Sequence, residues 1–194
     1  MEPVVLGWPP DGPTLRLDHR RFSYAGKFVM SNTGKAVIHD PASTEPRSGG
    51  GDDDCAGFDD DILAAVAFNE DRTEPAVLWL RYVTVRRDRR GDGLGPKLCQ
   101  FVAERAAERG YGRIRIAVNN PFAYEALYRA GFAYTGSETG IAELVLERPT
   151  ERPAGGRSPR TYQSGLDEYR ERELSEEERA FLERKRGCAP PPVF

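Results

Sequence analysis

Residues 83–109 constrain the fold of this chain most, because they join a strand pattern to a helix pattern through a loop rich in glycine and arginine. Residues 78–85 are apolar and β-branched, as in a buried strand, and the charged residues 86–90 must leave the core at once. After Pro96, apolar residues return at spacings of three and four, which favours a helix with one face inward. We therefore predict a strand, a glycine-rich loop and a helix in succession.

The loop has the composition of a receptor for a phosphate-like anion. Gly91, Gly93 and Gly95 carry no side chain that blocks close approach, and Gly95-Pro96 has the pattern of an N-cap followed by proline at the first helical position. Free N–H groups and the helix dipole then attract an anion, by roughly 0.3–1 kcal/mol for one exposed charge. Long-range attraction comes from Arg86, Arg87, Arg89 and Arg90. A mobile surface turn is the alternative interpretation of the glycines.

Two common nucleotide-binding loops do not fit these residues. A P-loop requires Gly-Lys-Ser/Thr before its helix, whereas residues 95–98 are Gly-Pro-Lys-Leu. A Rossmann loop requires Gly-x-Gly-x-x-Gly and a second parallel unit that ends in an acidic residue. Neither pattern is present in the sequence.

The residues resemble instead the acetyl-CoA loop of the GNAT family of N-acetyltransferases, whose signature is Gln/Arg-x-x-Gly-x-Gly/Ala between a strand and a helix. Arg90, Gly93 and Gly95 fill its three fixed positions. The resemblance implies that the strand splays from its neighbour, so that its free backbone pairs with the pantetheine amides while the loop holds the pyrophosphate. The acetyl-CoA site implied in this way consists of Val83, Thr84, Val85, Arg90, Gly91, Asp92, Gly93, Leu94, Gly95, Pro96, Lys97 and Asn120.

A second family motif follows the strand predicted for residues 113–118. GNAT members carry Asn-x-x-Ala-x-x-Leu-Tyr-x-x-x-Gly-Phe there, in which the asparagine contacts the cofactor and the tyrosine hydroxyl is a general acid near the sulfur of CoA. Counting back from Gly131, Asn120 and Ala123 match this motif, but Leu127 stands at the tyrosine position. The sequence therefore departs from the family motif at the position of the general acid.

Either of two tyrosines could be the general acid. Tyr124 and Tyr128 are four positions apart and lie on one face of the predicted helix, so either hydroxyl could reach the sulfur of CoA. The alternative is that both tyrosines only pack in the core. We favour Tyr128. The general base is not assigned to one residue either, because residues 76–87, which include the central strand, contain no aspartate or glutamate. Acids that could act through a water are Glu70, Glu74 and Glu143.

The resemblance implies an α/β (α+β) fold of the GNAT type, with a mostly antiparallel central sheet, a splayed strand pair and flanking helices. Helices before the central strands are expected to be reduced or absent, because short strands are predicted at residues 14–17, 22–30 and 35–39 instead. The predicted organisation is an irregular N-terminal segment 1–13, an acyltransferase domain 14–148 with a disordered loop 41–61, a linker 149–164 and a C-terminal helical appendage 165–194. A capping box at Ser175 opens a helix that either docks on the domain or pairs with a second copy in a homodimer.

Composition narrows the compartment and the partners. The net charge of −3 gives no general attraction to nucleic acid, and neither a membrane-spanning run nor a signal peptide is expected. The 3 cysteines are widely spaced, which favours a reducing compartment and hence the cytoplasm. The aspartates of loop 41–61 do not follow the spacing of a calcium loop, so no metal is predicted.

The function implied by the resemblance is transfer of an acetyl (acyl) group from acetyl-CoA to an amine by direct attack. The acceptor is unidentified and is either a small molecule or a protein. The alternative is a catalytically inactive CoA-binding module with a regulatory or interaction role, since the tyrosine is displaced and the strand carries no acid.

Overall fold

The computed structural model describes residues 1–40 and 59–194. Its strands are β1 (Pro3–Gly7), β2 (Gly34–His39), β3 (Ile62–Glu70), β4 (Val77–Val85), β5 (Arg113–Val118), β6 (Ala133–Glu138) and β7 (Leu144–Pro149). Its α-helices are α1 (Leu94–Glu108), α2 (Pro121–Arg129), α3 (Pro159–Arg170) and α4 (Glu176–Arg184). The strands are hydrogen-bonded in the order β1-β2-β3-β4-β5-β7-β6, with β4 and β5 parallel and β1–β2, β2–β3, β5–β7 and β6–β7 antiparallel. The predicted mixed, mostly antiparallel α/β fold is confirmed.

The chain forms two compact units. Unit 1 consists of Met1–Asn69 and Arg81–Leu98, and unit 2 consists of Glu70–Leu80 and Cys99–Phe194. Strand β4 and helix α1 therefore each contribute residues to both units. The domain boundaries predicted from the sequence stay a prediction.

Unit 1 is built on β1, β2, β3 and the second half of β4. Its buried cluster joins strand residues to an irregular segment that carries Leu15, Phe22 and Phe28. The strands predicted at 14–17 and 22–30 are wrong, because this segment forms turns and a 3-10 helix at Ala25–Lys27. Burial still alternates around Arg16, but the backbone is fixed by isolated bonds such as Leu15 N–H to the Phe28 carbonyl (3.0 Å) and not by a ladder.

Two other segments named in the sequence analysis, 1–13 and 41–61, belong to unit 1. The segment 1–13, expected to be irregular, contains β1, whose first residue is Pro3, a strand position that needs no N–H for the ladder. Most of the predicted loop 41–61 lies outside the described residues. Its last three residues are described and are paired: Asp59 with the Arg16 N–H, Asp60 with Arg21 and Asp61 with His39.

Unit 2 contains β5, β6, β7, the first half of β4 and the helices α2, α3 and α4. Helix α4 begins after a capping box between Ser175 and Glu178, as predicted, and contacts α2, while α3 contacts β6. Helix α3 starts at Pro159, with Ser158 as its N-cap, and so begins within residues 149–164, which were predicted to be a linker. Phe181 and Leu182 of α4 are buried, so the C-terminal helix docks within its own unit.

Candidate functional site

The end of β4 matches the predicted strand. The ladder between β4 and β5 runs from Val77 opposite Arg113 to Leu80 opposite Ile116, while β4 itself continues to Val85. Residues 81–85 of β4 belong to unit 1 and lead directly into the loop. Thr84 is 4% exposed, and within the described part of the chain its hydroxyl has no hydrogen-bond partner.

The glycine-rich loop places two glycines in the left-handed region, with φ of 93° at Gly91 and 78° at Gly93. Helix α1 begins earlier than predicted, at Leu94, because the N–H of Lys97 donates to the Gly93 carbonyl (3.1 Å) and thereby closes the first turn. Pro96 therefore lies inside the first turn and not at its start. A proline at this position loses no helical hydrogen bond, since the N–H groups of the first turn have no acceptor within the helix. The N–H groups of Leu94 and Gly95 are left as donors at the positive end of α1.

The four arginines of the loop are not equivalent. Arg86 is 8% exposed and its Nε donates to Asp88 (2.8 Å), and Arg89 Nε donates to Asp92 (2.8 Å), so local carboxylates neutralise both. Arg87 is exposed, and Arg90 donates to the hydroxyl of Ser23 (2.8 Å). A further positive charge is Lys97, whose Nζ donates to the Met1 carbonyl (2.6 Å). Within the described residues, Arg87, Arg90 and Lys97 have no carboxylate partner, so their charge is available to an anion.

Helix α2 of unit 2 begins as the motif predicts. Asn120 is its N-cap, with the side-chain oxygen accepting the N–H of Ala123 (2.9 Å), and Pro121 occupies the first helical position. This cap explains an asparagine at position 120 by local structure alone. The sequence prediction that Asn120 contacts the cofactor stays a prediction.

The two candidate tyrosines of α2 lie inside unit 2. Tyr124 and Tyr128 are both 0% exposed, and their hydroxyl oxygens are 3.3 Å apart. The hydroxyl of Tyr128 accepts the N–H of Tyr134 (3.1 Å), and the hydroxyl of Tyr124 donates to the Tyr162 carbonyl of α3 (3.1 Å). Burial raises the pKa of both phenols, so both keep their protons at neutral pH.

Helix α3 covers Tyr124 closely. A Cβ atom at Gly165 would lie 2.2 Å from the Tyr124 hydroxyl oxygen, so only glycine leaves room for the ring. Tyr162 stacks on Tyr124 with ring centroids 5.9 Å apart. Sequence analysis did not single out Gly165 or Tyr162; the signal was the spacing of Tyr162, Leu166 and Tyr169, which places three apolar residues on one helical face.

The three glutamates considered as bases are placed in unit 2. Glu70 accepts the hydroxyl of Tyr111, and Glu74 is paired with Arg115 (2.7 Å). Glu143 is half-buried, and its N–H donates to the Thr139 hydroxyl (3.2 Å). Two of the three are thus already engaged by donors, and the assignment of a base among them stays a prediction.

Comparison with known families identifies the class of protein. The model of the acetyltransferase (GNAT) family matches residues 38–132, which include β4, the glycine-rich loop, α1 and α2. This match supports the resemblance to the GNAT family, and the mixed, mostly antiparallel sheet flanked by helices is consistent with the fold of that family. At the level of the family, this supports transfer of an acyl group from CoA to an amine.

The solved structures that this chain is similar to include several acetyltransferases. An N-acetyltransferase from Staphylococcus aureus Mu50 is 15% identical, with 61% of this chain and 68% of that chain covered and a TM-score of 0.46. A GCN5-related N-acetyltransferase from Kribbella flavida is 20% identical, with coverages of 60% and 67% and a TM-score of 0.45. A nourseothricin acetyltransferase is 19% identical, with coverages of 76% and 87% and a TM-score of 0.46. A search of curated proteins found no match to this sequence.

Two further properties concern the described residues alone. No helix among them is both long and apolar enough to cross a membrane. In residues 1–40 and 59–194, no group of three or more His, Cys, Asp or Glu side chains is arranged to hold a metal ion.

Proposed function

We propose that this protein transfers an acetyl group from acetyl-CoA to an amine. The observation that carries the proposal is the continuous arrangement of the end of β4 (residues 81–85), the glycine-rich loop and the start of α1 within unit 1. This arrangement combines free helix N–H groups with three positive side chains that have no carboxylate partner in the described chain: Arg87, Arg90 and Lys97. CoA carries a pyrophosphate, which requires both kinds of group.

Each part of this arrangement has its own role in the proposal. The backbone of Val83, Thr84 and Val85 pairs with the amides of the pantetheine arm, since the β4–β5 ladder ends at Leu80. The N–H groups of Leu94 and Gly95 point at the pyrophosphate from the helix start. Gly91 and Gly93 allow the loop its left-handed turns.

The reaction needs three proton or charge events. The acceptor amine must lose its proton before its nitrogen bonds to the acetyl carbon, the tetrahedral oxyanion needs an N–H donor, and the thiolate released as the C–S bond breaks takes up a proton. A backbone N–H of β4 is the donor that we propose for the oxyanion. The sequence prediction that Tyr128, or else Tyr124, protonates the thiolate stays a prediction, and Tyr128 is the one that we test.

Acetyl-CoA binding is tested with two substitutions at one glycine. Gly93→Asp and Gly93→Asn add side chains of nearly equal size, and both residue types tolerate the left-handed backbone better than most, so their difference isolates the negative charge. Calorimetry should show that the asparagine variant binds acetyl-CoA more weakly than the wild type and that the aspartate variant does not bind. Equal affinity of all three folded proteins would refute the loop assignment.

The general acid is tested by removing one hydroxyl at a time. If Tyr128 is the acid, Tyr128→Phe lowers kcat by about 10²–10⁴-fold with little change in acetyl-CoA affinity, and Tyr124→Phe is mild. The reverse ranking would transfer the role to Tyr124. Unchanged kcat in both variants would show that water supplies the proton.

A second candidate function is a CoA-binding module without catalysis. The observation that favours it is the position of both tyrosine hydroxyls inside unit 2, bonded to the backbone at Tyr134 and Tyr162, with Leu127 at the family's tyrosine position. This candidate predicts tight acetyl-CoA binding without thiol release for any amine in a broad acceptor panel. Thiol release above the rate of hydrolysis would exclude it.

We also propose that the protein acts in the cytoplasm. The described cysteines, Cys99 and Cys188, are both free thiols, and burial raises the pKa of Cys99 to about 12, so this thiol is unreactive. Free thiols fit a reducing compartment. Fractionation of the source cells, with immunodetection in the soluble cytosolic fraction, tests the location.

A further inference from the structure

The irregular segment of unit 1 is fastened to both the strand and the loop that we assign to acetyl-CoA. The Arg21 carbonyl accepts the N–H of Arg87 (2.9 Å), and the Ser23 hydroxyl accepts a hydrogen bond from Arg90 (2.8 Å). The next residue, Tyr24, contacts Tyr82 of β4 with ring centroids 5.9 Å apart. This segment therefore forms a side of the proposed site, at the place where the sequence had given no acceptor-binding element.

The contact between segment and strand is an aromatic platform, which we define as Tyr24, Lys27 and Tyr82. Tyr82 directly precedes Val83 and is partly buried against the core cluster of unit 1. Tyr24 is 50% exposed and its ring is tilted by 39° to that of Tyr82. Lys27 Nζ lies 5.9 Å from the Tyr82 ring centroid, and the Lys27 N–H donates to the Tyr24 carbonyl (2.8 Å), which fixes the two residues on one turn.

Tyr24 has a strained backbone that its own packing does not explain. Its φ of 59° and ψ of 18° are left-handed, a conformation that bulky residues rarely adopt. A ring that is half exposed gains little burial in return. Residues with strained backbones cluster at active sites, ligand clamps and switch regions, so this outlier suggests a functional role for Tyr24.

Lys27 is a cation of this segment that no carboxylate of the described residues neutralises. Arg20 is paired with Asp18 (3.0 Å) and Arg21 with Asp60 (3.2 Å). The ammonium of Lys27 has no carboxylate partner in the described residues and is exposed. A ligand that brings its own carboxylate would complete this ion pair, whereas a polycationic amine would be repelled.

We propose that the aromatic platform binds the acceptor, and that the acceptor is a small primary amine that carries an aromatic ring and a carboxylate. Its ring packs on the exposed face of Tyr24, its carboxylate pairs with Lys27, and its amine lies toward β4, where the acetyl thioester is expected. This assignment rests on the proposed acetyl transfer and adds the chemical class of the acceptor. It does not involve the tyrosines of α2.

The experiment measures thiol release from acetyl-CoA with three amines: phenylalanine, 2-phenylethylamine and spermidine. The expected order of kcat/KM is phenylalanine, then 2-phenylethylamine, then spermidine. Tyr24→Ala should raise the KM for phenylalanine at least tenfold without changing the KM for acetyl-CoA, and Tyr24→Phe, which keeps the ring, should retain the wild-type KM. Lys27→Gln should raise the KM for phenylalanine but not for 2-phenylethylamine, which has no carboxylate.

Matched controls separate the platform from general effects on folding. Val29→Ala changes an apolar residue of the same segment that is 49% exposed and should leave every KM unchanged. If Tyr24→Ala fails to fold, Tyr24→Gly, which suits the left-handed backbone, replaces it with the same expected loss.

Two results would overturn the inference while leaving the proposed function intact. One is spermidine as the best acceptor, and the other is an unchanged KM for phenylalanine in the folded Tyr24 variants, each with acetyl-CoA binding preserved by calorimetry. If the wild-type protein does not bind acetyl-CoA, the proposed function itself is refuted.

Discussion

Gly165 decides whether α3 can pack on Tyr124. A glycine inside a helix ordinarily costs about 0.5–1 kcal/mol relative to alanine, so Gly→Ala normally stabilises a helix. At Gly165 the new Cβ would lie 2.2 Å from the Tyr124 hydroxyl oxygen and 2.6 Å from its Cζ. We expect Gly165→Ala to lower the free energy of unfolding by about 1–3 kcal/mol, as overpacking does.

The measurement is urea unfolding with a control at a second glycine. A Cβ at Gly155 would meet nothing within 4 Å, so Gly155→Ala should be neutral or slightly stabilising. A Tyr124→Leu change, which removes the clashing atoms, should partly restore the Gly165→Ala variant. Stabilisation by Gly165→Ala would show that α3 does not sit on Tyr124 as described.

Lys35 makes the stability of unit 1 depend on pH. Its side chain is 0% exposed, and its ammonium donates to three neutral oxygens: Met30 O (2.6 Å), Thr33 O (2.8 Å) and Thr33 Oγ1 (2.7 Å). Burial lowers the pKa of Lys35 from 10.5 to about 8. Between these values the unfolded chain binds more protons than the folded one, so this group makes stability rise with pH, by at most about 1.4 kcal/mol per pH unit.

Lys35→Met removes the titrating group and so isolates its contribution. The free energy of unfolding of the wild type, minus that of the variant, should increase as pH is raised from 8 toward 10.5 and should be constant below pH 7. Urea unfolding at each pH measures the difference, in which the other titrating groups cancel. A constant difference over the whole range would mean that Lys35 keeps its ordinary pKa when folded.

At the scale of elements, the sequence predicts best where pattern and turn chemistry agree. The alternation of Ile114, Ile116 and Val118 against polar neighbours predicts β5, and the capping box at Ser175 predicts the start of α4; both are found. Helix α3 was missed because Pro159 and Gly165 resemble linker residues. In the structure, Pro159 occupies the first turn and Gly165 makes room for a ring from α2.

The segment before β2 shows a different limit. Leu15 and Leu17 alternate with an exposed arginine as in a strand, but a strand also needs a partner to take its hydrogen bonds. Which backbone groups pair is decided by the whole sheet, and here β1 takes the position beside β2. The aromatic platform could not be predicted either, because Tyr24 and Tyr82 are far apart in the chain.

The contact between α4 and α2 depends on a buried carboxylate. Glu125, whose side chain is 7% exposed, accepts from Lys185 Nζ (2.6 Å) and from the hydroxyl of Tyr162. Lys185→Met removes the ammonium that neutralises the Glu125 carboxylate. We expect it to lower the free energy of unfolding by about 1–3 kcal/mol. Arg186→Met is the matched control, because its ion pair with Glu183 is exposed to solvent and therefore contributes little to stability.

Chemical unfolding of the two variants measures both costs. Salt provides a second readout, since 1 M NaCl screens exposed pairs strongly and partly buried ones much less. The cost of Lys185→Met should persist in salt. Equal, small costs for both substitutions would show that Glu125 is solvated and that α4 is not held by this pair.

At the scale of the whole molecule, the motifs predicted the family, and the family predicted the sheet. Neither motif shows that the chain divides into two units, because the division passes through β4 and α1 and not through a linker. A boundary that cuts a strand and a helix has no compositional signal, whereas linkers are recognised by proline, glycine and charge.

The shared elements predict how the molecule unfolds. Because β4 and α1 each continue from one unit into the other, neither unit can lose its part of them without disturbing the hydrogen bonds of the next turn or ladder position. We therefore expect one cooperative transition and not two. The sequence offers a probe for each unit, since its 2 tryptophans are Trp8, packed at 5.0 Å on Phe68 in unit 1, and Trp79, bonded to Asp71 in unit 2.

Two single-tryptophan variants test this expectation. In Trp79→Phe the fluorescence reports on Trp8 and unit 1, and in Trp8→Phe it reports on Trp79 and unit 2. In each variant the urea midpoint from fluorescence should coincide with the midpoint from far-UV circular dichroism, which follows the whole chain. This comparison is made within each variant, so the different cost of each substitution does not enter. A fluorescence midpoint that is separated from the dichroism midpoint in either variant would show that the units unfold independently, despite the strand and helix that they share.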